Sequence, residues 1–141
     1  MAAHDGVMTA APVLDTEALR RLGDDLGDAE ILGGFLRRFL ALPEQRIERL
    51  ERSLTAHDHE SWMDAVLSLK TSSAQAGARA LSELAARVEK AAERPPSPSW
   101  TAWCTSTGRC EGLRLLRDVA AETARQLRLF LDQLRPAGPA T

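Results

Sequence analysis

The sequence has no tyrosine and only three phenylalanines and three tryptophans, so its core must be built mainly from aliphatic side chains. It has two cysteines, Cys104 and Cys110, both in one stretch. They give no disulfide framework, are too few for a zinc site, and are expected as free thiols with an adventitious disulfide as the alternative. No apolar run approaches the ~20 residues of a membrane span. Met1 to Pro12 lacks the basic start and apolar centre of a signal peptide. The net charge of −2 gives no general electrostatic pull toward nucleic acid. There is no Gly-rich phosphate loop, and no Ser-His-Asp or paired-carboxylate arrangement can be assigned from spacing. Catalysis by this chain alone has little support, and no cofactor is implied. No internal repeat is visible.

What remains is 141 residues, 44% hydrophobic and 27% charged, the composition of one soluble domain. A chain of this size buries roughly two thirds of its unfolded surface. The expected organisation is a flexible leader over 1–12, a helical domain over 13–135 and a flexible tail over 136–141, in a cytoplasmic protein.

Hydrophobic periodicity runs at the helical repeat almost throughout. Asp15 is placed to cap a short helix over Thr16–Leu22, with Glu17 in its first turn and Gly23 and Gly27 interrupting it. Asp28 starts a longer helix to about Leu54, roughly 40 Å long, with a bend expected at Pro43. Its expected seam is Ile31/Leu32, Phe35, Phe39 and Leu42, then Ile47, Leu50 and Leu54. Asp58 caps the next helix, which ends at Gly77 in a left-handed turn. A further helix spans about Ala78 to Glu93 on Leu81, Leu84/Ala85, Val88 and Ala91/Ala92. Arg94 to Cys110 is a long break with Pro95-Pro96-Ser97-Pro98 followed by Trp100 and Trp103. Its two indoles are expected to fold over one end of the core, the alternative being anchorage of a partner. The last helix runs from about Glu111 to Leu134 on Leu113, Leu116, Ala120, Thr123/Ala124, Leu127, Phe130/Leu131 and Leu134. Its stripe of Arg114, Arg117, Arg125, Arg128 and Arg135 is interleaved with Asp118, Glu122 and Asp132, the pattern of a salt-laced solvated face rather than an anion site. Four amphipathic helices with mostly short links predict an all-α fold, an antiparallel up-down-up-down four-helix bundle with a short extra N-terminal helix.

The chemistry gathers on the stretch Trp62 to Ala78. Trp62, Val66, Leu69, Ser73 and Ala76 fall on one face, the seam of a packed helix. Met63, Leu67, Thr71 and Ala74 fall on the opposite face, with Lys70 at its border. A row of outward apolar residues at helical spacing hints at a docking surface.

Leu69, Lys70, Ser72, Ser73, Gly77 and Ala78 occur in the order and spacing of the histidine-containing phosphotransfer (HPt) motif, and the stretch resembles that family. In the family an exposed His precedes x-Leu-Lys-Gly-Ser, and a small-residue run ends in Asn-x-Gly-Ala. Leu67 occupies the position of the phosphorylatable His, Thr71 that of the Gly one turn later, and Gln75 that of the Asn. The resemblance extends over about Val13 to Glu93. It implies a two-component phosphorelay module, with a response-regulator receiver or histidine-kinase-associated domain as partner and Lys70 near the phosphoryl site. Leu67 has no lone pair and cannot accept a phosphoryl group. The expected function is therefore binding without phosphotransfer, through Met63, Leu67, Lys70, Thr71 and Ala74. The alternatives are an active phosphotransfer protein using another acceptor, and a helical adaptor unrelated to phosphorelay. His57 and His59 precede Leu67 by roughly 12–15 Å along a helix axis, so acceptance there requires a different docking pose. Without a further obvious His or Cys ligand, His57-Asp58-His59 reads as a surface turn rather than a metal site. No metal is expected, and the oligomeric state is open.

Overall fold

Three aspartates start three helices, each by the same local chemistry. The side chains of Asp15, Asp28 and Asp58 accept from the backbone N–H of Ala18, Glu30 and Ser61 at 3.0, 2.8 and 3.0 Å. Each satisfies one of the amide donors that a helix leaves unpaired at its N-terminus. The structure, a computed structural model, describes residues 11–93 and 107–134. Among these the helices are α1 (Thr16–Leu26), α2 (Ala29–Leu40), α3 (Leu42–Thr55), α4 (His59–Gln75), α5 (Arg79–Glu93) and α6 (Thr107–Leu134), with no strand. No helix of the described residues is long and apolar enough to cross a membrane. The expectations for residues 1–10 of the leader, the Trp100/Trp103 stretch, Cys104, Arg135 and the tail lie outside the described residues.

Four sequence expectations need correction. The helix beginning at Asp28 is two helices, separated at Ala41 rather than bent at Pro43. Pro43 sits in the first turn of α3, where its missing N–H costs no internal bond. The seam of α2 keeps Leu32 and Phe39 but takes Leu36 in place of Phe35. Leu32, Leu36 and Phe39 are buried, whereas Phe35 is half-buried and Ile31 is exposed. Once the two helices are separate, α2 is free to roll relative to α3, and a seam carried across the break no longer applies. Further, α1 runs through Gly23 and stops at Gly27, which adopts a left-handed φ of 74°. A Cβ on Gly23 would lie 3.0 Å from Leu32 Cδ2, so this glycine lets α2 pack closely on α1. The last helix begins earlier than expected, at Thr107, with Cys110 in its first turn.

α3 packs on α4, α4 on α5, and α6 on α5, α3 and α2, while α1 leans on α2. The core lies inside that ring. It contains Leu32, Leu36, Leu50, Trp62, Val66, Leu69, Leu81, Leu116 and Leu127, each within 1% of complete burial. At about 25 cal/mol per Å² of apolar surface removed from water, a fully buried Leu contributes roughly 1.5–3 kcal/mol. Leucines rather than aromatics therefore carry the stability of the bundle.

Candidate functional site

The site is built on α4, and its register is fixed from the inside. Trp62, Ala65, Val66, Leu69, Ser73 and Ala76 are all at most 1% exposed. Burial of that face points the other face outward. Leu67 is 46% exposed, Thr71 and Ala74 are exposed, and Met63 is half-buried against the rim of the core. Of the five residues expected at the site, Leu67, Thr71 and Ala74 form a surface ridge at helical spacing. Thr71 Oγ1 donates to the Leu67 carbonyl at 2.9 Å, which holds the hydroxyl against its own helix.

Lys70 turns away from that ridge. Its ammonium pairs with Glu89 of α5 at 2.6 Å, and both side chains are mostly withdrawn from solvent. The Ser82 hydroxyl on α5 donates to the Lys70 carbonyl at 3.2 Å, tying the two helices at the same level. On the other flank α3 supplies two arginines that sequence reasoning passed over. Arg46 Nε donates to Ser68 Oγ at 2.8 Å, and Arg49 Nε donates to Ser61 Oγ at 3.2 Å. Arg49 also pairs with Asp64 at 2.9 Å. Arg46 and Arg49 lie three residues apart, so one helix face carries both, but the sequence does not say which neighbour that face meets.

The end of the motif is locked by the N-terminal segment. Gly77 has φ 73°, and its carbonyl accepts from the Asp15 N–H at 2.8 Å. The Ala80 N–H donates to the Pro12 carbonyl at 3.0 Å, and Arg79 pairs with Asp15 at 3.6 Å. A Cβ on Gly77 would lie 3.2 Å from Leu19 Cγ and 3.3 Å from the Asp15 carbonyl oxygen. Glycine is required there twice over, by backbone angle and by close approach. The following Ala78 is fully buried.

His57 and His59 are both exposed and lie at the opposite end of α4 from Gly77. His57 sits in the turn before the helix with φ 56°, and His59 is the first helical residue. Leu67 follows two turns later. The described residues hold no cluster of three or more His, Cys, Asp or Glu side chains arranged for a metal ion. A groove of about 980 Å³ opens between α2 and α6, lined by Gly33, Arg37, Leu40, Arg128 and Leu131 among others. It does not include α4.

An exposed motif helix in an all-helical bundle, closed by a Gly-Ala turn, is the setting in which the HPt motif was read from sequence. A profile of the Hpt domain matches residues 34–137, most of the chain. The chain belongs to the Hpt domain family. No curated protein matches it. Among solved structures, the crystal structure of histidine-containing phosphotransfer protein B (HptB) from Pseudomonas aeruginosa PAO1 is similar in fold. The TM-score is 0.57 at 21% identity, covering 83% of this chain and 98% of that one. Hpt domains are phosphotransfer carriers rather than enzymes in the usual sense, and they engage receiver domains and kinases of phosphorelays. The Hpt scaffold here carries Leu67 at the outward position two turns into α4, and all three of its histidines, His4, His57 and His59, precede that position.

Proposed function

We propose that this Hpt domain is a binding module of a two-component phosphorelay that does not itself accept a phosphoryl group. Its four long segments, with α2 and α3 together as the first, run up-down-up-down, and the domain extends over 13–135. The observation that carries the proposal is Leu67, exposed on the motif helix where the family pattern calls for the reactive imidazole. Phosphoryl transfer from an aspartyl phosphate needs a nucleophilic nitrogen to displace the carboxylate. A leucine side chain offers none. It offers instead an apolar knob at the middle of the surface that would meet a receiver, with Thr71 and Ala74 continuing the ridge. Thr71 adds a branched side chain where the family pattern has glycine, so the partner must stand off from α4 or tilt. The partner is a response-regulator receiver or a kinase-associated domain, which this module holds or competes for in the cytoplasm.

The test is incubation with phosphorylated receiver domains. Complex formation with no label on this protein is the expected result. Acid-labile, base-stable label on it means transfer through another acceptor, for which His57 and His59 are the candidates. No complex with any receiver of the host points instead to a helical adaptor outside phosphorelay.

A further inference from the structure

Around Leu67 the structure distributes its cations unequally. Lys70 is matched by Glu89 at 2.6 Å and Arg49 by Asp64 at 2.9 Å. Arg46 has no carboxylate partner among the described residues. Its side-chain hydrogen bond among the described residues goes from Nε to Ser68 Oγ at 2.8 Å, and Ser68 adjoins Leu67 in the chain. Ser68 is neutral and Arg46 is half-buried, so the stem is held while the two terminal NH₂ groups of the guanidinium keep their donors. A positive charge fixed beside an exposed leucine, with its neighbours already neutralised, is complementary to an apolar surface bordered by carboxylates.

We propose that Arg46 on α3, and not Lys70, is the cation that meets the partner's carboxylates beside Leu67. This rests on the reading of the α4 ridge as a docking surface and names the charge that orients the partner on it. The partner is a receiver domain whose acidic cluster faces the ridge. Lys70 would first have to leave Glu89, which offsets whatever a new carboxylate returns. Arg46 has no such pair to break, and its planar fork suits a carboxylate in two-point contact. Ser68 is a positioning residue that restricts the Arg46 stem before the partner arrives.

The test uses the full chain and the receiver domains encoded in the same genome, titrated one at a time at low and moderate salt. With the receiver that binds, Arg46→Gln should weaken affinity at least about tenfold and flatten the salt dependence. Lys70→Gln should change affinity less than about threefold. Ser68→Ala should weaken binding severalfold while keeping the salt dependence, because the charge is still present. Circular dichroism and thermal unfolding establish that each variant is folded, and Arg46→Lys, which keeps the charge and loses the fork, should fall between wild type and Arg46→Gln. A larger loss in Lys70→Gln than in Arg46→Gln overturns the assignment. So does a loss in Arg46→Gln with an unchanged salt slope, which marks a structural effect. If the wild-type chain binds none of the receivers, the docking function itself is overturned, and the assignment falls with it. Binding by wild type with an unaffected Arg46→Gln overturns the assignment alone.

Discussion

Leu69 and Leu67 sit two residues apart on α4 and have opposite fates. Leu69 is fully buried between neighbouring helices, and Leu67 is 46% exposed. The same contrast runs along the whole helix. Trp62, Val66, Leu69, Ser73 and Ala76 face inward, and Leu67, Thr71 and Ala74 face outward. Side-chain chemistry does not separate the two sets, since each has aliphatic residues and a hydroxyl. Packing separates them. The inner face answers to the fold, and a change there is read as stability. The outer face is under no such demand, so a leucine kept there is available for contact.

The sharpest division is expected between the two leucines. Leu69→Ala should lose roughly 2–5 kcal/mol of unfolding free energy, through lost transfer energy and the cavity left behind. Leu67→Ala should lose less than about 1 kcal/mol, because a half-exposed side chain buries little apolar area on folding. Urea unfolding of the two variants measures both. Equal losses would break the contrast and mean that α4 is rotated.

Next in size is the turn that closes the inner face. Gly77→Ala must place a Cβ at positive φ against Leu19 and the Asp15 carbonyl, and should lose about 1–3 kcal/mol. Gly27 has nearly the same backbone, with φ 74°, but a Cβ there meets no described residue within 4 Å. Gly27→Ala should therefore lose only the conformational part, about 1 kcal/mol. A Gly27 variant as damaged as the Gly77 variant would show that close packing by α1 adds nothing to the motif turn.

A smaller effect of opposite sign is expected at Ser73. Its hydroxyl is fully buried on the inner face and has no hydrogen-bond partner among the described residues. Ser73→Ala removes the unsatisfied group at nearly constant volume and should raise stability by up to about 1 kcal/mol. A loss of that size in thermal unfolding would mean that the hydroxyl has a partner on the folded protein, such as a water.

The smallest effect belongs to the solvated face of α6. Hydrogen bonds from Arg125 and Gln126 lower the Glu122 carboxyl from 4.5 to about 2. A carboxyl whose pKa is lower in the folded chain stabilises it above the unfolded value, and that contribution fades as pH falls from about 4.5 toward 2. Both side chains of the Glu122–Arg125 pair reach solvent, so solvent screens most of it. The melting-temperature gap between wild type and Glu122→Gln should be slight at neutral pH and narrower at acid pH. A gap that widens on acidification would contradict the pairing.

How much of this was legible before the structure follows the range of the forces involved. The two faces of α4, the caps at Asp15, Asp28 and Asp58, and the left-handed Gly77 are set within one or two helical turns, and the sequence shows them. The all-helical class follows from the same local periodicity. The break at Ala41 was missed because Pro43 is compatible both with a bent helix and with the first turn of a new one. The roll of α2, which buries Leu36 and exposes Ile31, depends on α1 and α6 and not on the local pattern. Gly23 looked like a helix breaker, whereas its role is to admit Leu32. At the site, the outward set Leu67, Thr71 and Ala74 was readable. The capture of Lys70 by Glu89 and of Ser68 by Arg46 was not, since these contacts join residues 19 and 22 apart in sequence.

The central claim is that Leu67 stands where a reactive imidazole would complete this Hpt scaffold. The most direct measurement is phosphoryl acceptance by the double variant Leu67→His, Thr71→Gly, incubated with the labelled phosphorylated receiver that the wild-type chain binds. The exchange leaves the buried face of α4 untouched, and the glycine costs about 1 kcal/mol of helix propensity. The account predicts acid-labile, base-stable label on the double variant and none on wild type. A natively folded double variant that binds the receiver but takes up no label would contradict it, and so would label on the wild-type protein.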